Sequence, residues 1–296
     1  MKNKRYLIGQ WVVFDISKQL RDFKEDFYGV ELCLIEKESD ISDFLKYAQL
    51  NNINYGVHFP LRANQWKLRD PQFLSKSLNT KNESYQFMKQ ELDYISKLNP
   101  KYVLIHYPKP MLLNEKADWS VWRFADTSEY YYQNDYDFDL FMQNSQEFFE
   151  FFTSYAKKHN FIPIIELDIV NEYVYASKEF YELFLKFPTL KVCLDIARLH
   201  LQSTIDSSFP VNQVIDLYAK HTYLVHLSNL NPVKKINHYP ALPSLKTEDG
   251  WANIEPYLKR IKSHNNDFKL QFEHRSYLVS DEELNSCYNW IRDILK

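Results

Sequence analysis

The sequence predicts a (β/α)8 TIM barrel with a long insertion after its fourth strand. Three observations predict it. Eight short β-branched or aromatic runs recur along the 296 residues, longer amphipathic stretches separate them, and most runs are apolar throughout rather than alternating. Strands that are apolar on both sides belong to a sheet buried on both faces, which means parallel strands covered by helices. Eight such units fit a barrel, and a doubly wound open sheet is the alternative.

In chain order, RYLIGQWVV (5–13) supplies the first strand and YGVELCLI (28–35) the second, followed by the amphipathic ESDISDFLKYAQLNN. INYGVHF (53–59) and KYVLIHY (101–107) flank the helical NESYQFMKQELDYISKLN. The segment PKPMLLNEKADWSVWRFADTSEYYYQNDYDFDLFMQ (108–143) then breaks the period. A loop of this length inside a compact domain is functional or disordered, and Trp119, Trp122, Tyr130, Tyr131 and Tyr132 argue for order, so an ordered lid or oligomer contact is expected. NSQEFFEFFTSYAKKHN leads into FIPIIEL (161–167), SKEFYELFLKF into LKVCLDI (190–196), then come TYLVHLS (222–228), NIEPYLKRIKSHNN and FKLQFEH (268–274). Ser, Asn or Asp stands near the helix starts, as capping requires. With no internal repeat and no low-complexity linker, residues 1–296 read as one barrel domain.

Composition narrows the function. Hydrophobic residues are 45% of the chain and aromatics 17%, which favours a folded globular protein. No stretch has the apolar length of a membrane span and the first residues lack a signal-peptide pattern, so a cytoplasmic location is expected. Cys33, Cys193 and Cys287 are too few and too scattered for a disulfide framework or a thiolate zinc site and read as core thiols. A net charge of −3 gives no general attraction for nucleic acid, although a local basic cleft stays open. Four isolated glycines cannot build a phosphate-cradling loop.

The charges fall where chemistry would need them. In a barrel the C-terminal strand ends converge on one mouth, and catalytic groups sit there. His58 closes the third run, His106 the fourth, Glu166 the fifth, Asp195 the sixth, His226 the seventh and Glu273 the eighth. Such residues are costly in buried strands unless paired or coordinated, so their joint appearance points to a divalent metal. Nitrogen and carboxylate ligands without thiolate suit Zn2+, Mn2+, Co2+ or Fe2+, with Mg2+ possible, at one or two ions per chain. With two ions, Glu166 would bridge a site completed by His58 and His106 and another completed by Asp195, His226 and Glu273. Singly, each has a plainer reading, as a structural histidine or a helix cap. His159, His221 and His264 read as solvated, and Asp168 as a reserve ligand or a partner of Glu166.

These residues resemble a known family, the xylose isomerase-like TIM barrels, which include sugar isomerases and epimerases and the endonuclease IV type of apurinic-site nuclease. YGVELCL (28–34) is similar to the family's second strand, VHLSN (225–229) to its histidine segment, EDGWANIEPYLKRI (248–261) to the stretch leading into its seventh helix, and QFEHR (271–275) to its last-strand glutamate. The resemblance implies that Glu166, Asp195, His226 and Glu273 are the ligands shared across the family. It implies that His58 and His106 are the extra pair of the nuclease branch. Arg198 stands where the nuclease pattern has histidine, and Ile236, Asn237 and His238 replace its Asp-x-His, so a third metal site looks dismantled, with His200 two places too late.

The resulting expectation is a metal-dependent isomerase or epimerase of a small sugar, sugar phosphate or polyol, with Glu166 or Glu273 moving a proton and His238 binding substrate or shuttling one. Arg198, Arg62 and Arg275 are candidate substrate clamps, with pairing of Arg198 to an acid such as Asp195 as the alternative. The alternative activity is a dinuclear hydrolase of the nuclease branch. A barrel that kept its ligands and lost turnover is the non-enzymatic reading. A small carbohydrate is the expected partner, nucleic acid is not, and self-association through the aromatic insert is plausible.

Overall fold

The structure, a computed structural model, describes residues 4–296. Its strands are β1 (Tyr6–Trp11), β2 (Gly29–Ile35), β3 (Asn54–Arg62), β4 (Tyr102–Tyr107), β5 (Met111–Leu113), β6 (Tyr130–Tyr132), β7 (Ile162–Leu167), β8 (Lys191–Asp195), β9 (Thr222–Leu227), β10 (Asn229–Asn231), β11 (Ile236–Tyr239) and β12 (Lys269–Phe272). Eight of them close a barrel in the order β1-β12-β9-β8-β7-β4-β3-β2, and these are the eight runs read from the sequence. The other four form two-stranded sheets, β10 with β11 and β5 with β6. No helix among the described residues is long and apolar enough to cross a membrane. The chain divides into two compact units, one of residues up to Gly9 with Asp15–Val30 and Val192–Lys296, the other of Gln10–Phe14 and Glu31–Lys191.

In the unit containing Glu31–Lys191, β4 pairs with β7 in parallel from Tyr102↔Ile162 to Tyr107↔Leu167, which sets His106 directly beside Glu166. His58 pairs with Leu104 on β4, two residues before His106. The sequence put His58 at a strand end, but Phe59, Pro60 and Leu61 stay extended and buried, so β3 continues to Arg62. Below this level the ring of Tyr102 lies over Gly56, where a Cβ would stand 2.1 Å from the ring. The Tyr102 hydroxyl donates to the fully buried Glu31 carboxylate at 2.8 Å. Glycine at 56 is therefore required by close approach, not by a turn.

The insert is ordered in this unit. Its β5 and β6 pair in parallel, and the Trp119 and Trp122 rings meet edge to face at 6.0 Å. Buried Tyr136 donates its hydroxyl to the Leu74 carbonyl and is itself bonded by Asn144 at 2.8 Å. The following helix, Phe138–His159, starts on an Asp137 cap accepting from the Leu140 N–H and stops at Asn160 in the left-handed conformation. Phe141, Phe148, Phe149 and Phe152 line its buried face, and Phe148 stacks on Phe73 at 3.9 Å. Each such ring stabilises the core by roughly 1.5–3 kcal/mol.

In the unit containing Val192–Lys296, β8 sets Asp195 beside His226 on β9, and β9 sets His226 beside Gln271 on β12. The helix Asp281–Ile294 begins with a capping box of Ser280 and Glu283 and buries Leu284, Cys287, Tyr288 and Ile291. His274 is buried beside it, its ring stacked near Tyr288 at 6.2 Å. Its Nδ1 has no hydrogen-bond partner among the described residues. Burial, with Lys18, Arg21 and His238 nearby, pushes its pKa down to about 3 from an ordinary 6.5.

Both packings can be tested by unfolding. Gly56→Ala drives a methyl into the Tyr102 ring and displaces the hydroxyl from Glu31, so urea unfolding should show a loss of at least about 2 kcal/mol. In chelator-treated protein, the unfolded chain protonates residue 274 below 6.5 whereas the folded chain does so only near 3, so folding stability falls as pH drops through that interval. The slope from this group is up to about 1.4 kcal/mol per pH unit, and His274→Gln should flatten the pH dependence of the urea midpoint. An unchanged slope would assign the acid sensitivity elsewhere.

Candidate functional site

Each unit gathers three of the six predicted ligand residues. In the first, His58, His106 and Glu166 place their ligand atoms all within 4.8 Å of one another, every residue buried. His58 Nε2 lies 3.3 Å from Glu166 Oε2 and His106 Nε2 lies 3.6 Å from Glu166 Oε1. The imidazole rings meet edge to face, 4.7 Å between centroids. Hydrogen bonds on the far side of each ring fix the tautomers. His58 Nδ1 donates to the Phe59 carbonyl at 3.2 Å, and His106 Nδ1 donates to both oxygens of Asp70, at 3.0 and 2.9 Å. Both Nε2 atoms then present lone pairs toward the carboxylate, and His106 Nε2 has no hydrogen-bond partner among the described residues. Acceptors facing acceptors in a buried pocket repel unless a cation or proton stands between them, so this donor set fits a divalent ion.

Asp70 is buried, which by itself would raise its pKa, but His106, Lys109 and Arg69 around it hold the carboxyl well below the usual range. Lys109 is also buried, its ammonium 3.1 Å from Asp70 Oδ2 and 2.6 Å from Asp168 Oδ2. Arg69 is exposed and brings Nη2 to 3.5 Å from His58 Nε2. Sequence reading singled out none of Asp70, Lys109 and Arg69. They lie in irregular segments after β3 and β4 with no period to place them, and Asp168, read as a reserve ligand, is the partner of Lys109.

In the second unit, Asp195, His226 and Glu273 bring ligand atoms within 4.8 Å of one another, again all buried. His226 Nδ1 is 3.7 Å from Glu273 Oε2. Asp195 also serves as the cap anticipated for a lone strand-end acid: its Oδ1 accepts from the Arg198 N–H at 3.0 Å and starts the helix Ile196–Ile205. The Arg198 side chain folds back so that Nε lies 3.4 Å from Asp195 Oδ2. His238, on β11 with φ of 52°, places Nδ1 3.2 Å from the Glu273 carbonyl and donates to it. Burial pushes its pKa down, opposed by Asp195 and reinforced by Arg198 and Arg275. Asp195, His226, Glu273, His238, Arg198 and Arg275 are thus neighbours.

Arg62 is placed differently. Its guanidinium is held by Glu91 at 2.7 and 2.9 Å, lies 3.6 Å from Glu38 and sits over the Tyr94 ring at 3.9 Å. The helix Leu78–Ser96, which carries Glu91, claims the side chain that the sequence offered as a clamp.

No protein-family model matches the chain, and no curated protein matches it in sequence. Solved structures do match in shape. A D-tagatose 3-epimerase-like protein superposes with a TM-score of 0.63 at 11% identity, covering 98% of this chain and 97% of the other. The IolI protein with a bound zinc atom gives 0.55 at 12% identity and 98% coverage of both chains. Endonuclease IV from Thermus thermophilus gives 0.53 at 12% identity, again over 98% of both. At these identities the likeness is one of fold: over 98% of its length the chain shares a (β/α)8 barrel fold with an epimerase-like protein, the zinc-bound IolI protein and endonuclease IV.

Proposed function

We propose that the protein is a divalent-metal-dependent isomerase or epimerase acting on a small sugar, sugar phosphate or polyol. The observation that carries this reading is the arrangement of buried imidazole nitrogens and carboxylates, ring tautomers fixed from behind, in a barrel whose fold is shared with sugar epimerases. Were a divalent ion held by these residues, the chemistry it would supply is polarisation of a substrate carbonyl, which would acidify the neighbouring C–H.

The chain's own residues supply the rest. Glu273 or Glu166 takes the proton from that carbon; for isomerisation the same carboxylate delivers it to the neighbouring carbon, and for epimerisation a second protonated group delivers a proton to the opposite face of the same carbon. His238, kept neutral by burial and donating from Nδ1 to the Glu273 carbonyl, accepts a hydrogen bond from a substrate hydroxyl at Nε2. Arg275 is exposed beside it, and Arg198 lies 3.4 Å from Asp195 with its charge partly satisfied, so Arg275 is the stronger candidate for a phosphate or carboxylate on the substrate. The insert 108–143 would serve as a wall or lid that limits water.

A second reading, a dinuclear hydrolase of the endonuclease IV type, is favoured by His58 and His106, a ligand pair that a mononuclear epimerase does not require.

Metal-stripped protein reloaded with Mn2+, Co2+, Zn2+ or Mg2+ should interconvert ketoses or their phosphates with solvent deuterium entering at the reacting carbon. Chelation should abolish the activity, and Glu273→Gln should lower turnover by about 10²–10⁴-fold. Cleavage of abasic-site DNA without ketose turnover would replace this reading with the hydrolase. A protein that takes up no metal under any loading would end both.

A further inference from the structure

Lys109 is a buried ammonium that the proposed reaction does not use. Its side chain is 4% exposed, and it stands between two buried carboxylates, Asp168 Oδ2 at 2.6 Å and Asp70 Oδ2 at 3.1 Å. A desolvated charge costs several kcal/mol unless it is paired, so this arrangement requires all three groups together. Asp70 uses its other capacity on the imidazole of His106, both oxygens lying within 3.0 Å of Nδ1. Asp168 follows Glu166 by two residues on the segment leaving β7, and its N–H donates to the Tyr107 carbonyl at 3.0 Å. The backbone reinforces the same connection, since Leu74, four residues beyond Asp70, donates its N–H to the Lys109 carbonyl at 2.8 Å.

We propose that Lys109 is a positioning residue for the metal ligand His106: its ammonium holds Asp70 in place as the acceptor for His106 Nδ1–H, so that Nε2 is the atom presented to a cation beside Glu166. The inference rests on the metal-site reading above. The physical sequence is short. An imidazole bonded at Nδ1 to a carboxylate has one orientation and one tautomer, and its Nε2 becomes a stronger donor because the carboxylate behind it stabilises the charge that coordination induces. Asp70 can do this only while something balances it, because Asp168 is a second carboxylate in the same buried space. A single ammonium between the two removes their repulsion and fixes the spacing of the loop after β3, the loop after β4 and the loop after β7. Without it, Asp70 keeps its bond to His106 but shares the buried space with Asp168 with no ammonium between the two carboxylates, and its hold on the imidazole is loosened.

The test uses the full chain in a His226→Ala background, so that the binding read is that of His58, His106 and Glu166. Cobalt(II) affinity is measured by competition with a chelator and its ligand-field absorption is recorded, with circular dichroism confirming that each metal-free variant is folded. Lys109→Met should weaken Co2+ binding by about 10–100-fold and shift the absorption band, and Asp70→Asn should do the same. Asp70→Asn keeps the shape of the side chain and provides the measurement if the lysine variant fails to fold. Folded variants that bind Co2+ with parental affinity and an unchanged spectrum would overturn the positioning role while leaving the metal-site reading intact. Failure of the parent protein itself to take up Co2+ would remove that reading and this inference with it.

Discussion

A neutral imidazole has two nitrogens and one proton, so whatever bonds to one nitrogen decides what the other can do. In this protein that rule is applied twice in one pocket. The Phe59 carbonyl takes the proton side of His58, and Asp70 takes the proton side of His106. Both remaining lone pairs are turned on the Glu166 carboxylate, within 3.6 Å. Two acceptors and an anion in a low-dielectric setting repel unless a cation or proton stands among them, and Arg69 reaches only the His58 side, at 3.5 Å. The register of β4 against β7 and the extended continuation of β3 are what keep the three groups facing one another. The arrangement of these three groups is therefore a property of the sheet.

Asp195 illustrates how one side chain can cap a helix and still stand among candidate metal ligands. One oxygen completes the first turn of the helix Ile196–Ile205, the other lies 3.4 Å from Arg198 Nε, and the carboxylate has an oxygen within 4.8 Å of ligand atoms of His226 and Glu273. A helix N-terminus favours a negative charge near it, and the cap hydrogen bond from the Arg198 N–H orients the carboxylate. The cap reading and the ligand reading, alternatives when only the sequence is considered, are compatible in three dimensions because a carboxylate has two oxygens.

Much of the fold was legible because the barrel strands are apolar and evenly spaced, and a His, Asp or Glu closing such a strand stands out against its neighbours. Less was legible where position depends on contacts distant in sequence. Arg62 ends β3 much as a clamp would, yet Glu91 from the next helix holds it. Asp70, Lys109 and Arg69 occupy irregular segments, and only the folded chain brings Asp70 and Lys109, far apart in sequence, to 3.1 Å. The small β5–β6 pair was equally invisible, because MLL and YYY are short and meet only through the intervening turns. The aromatic content of the insert did signal order, since rings of that size are rarely left in water.

That order has a consequence for how the protein can change over generations. The insert grips the loop carrying Asp70 at several points: Tyr136 bonds the Leu74 carbonyl, Tyr131 meets the Ser75 hydroxyl at 3.4 Å, and Lys76 donates to the Asp135 carbonyl at 2.9 Å. A surface excursion of this kind is ordinarily where a lineage accepts deletions and substitutions most freely. Here its aromatic residues are coupled, through one short loop, to the orientation of an imidazole in the barrel. Divergence in the excursion is thereby restrained by events it never touches, and homologous chains should retain its tyrosines wherever they retain the aspartate.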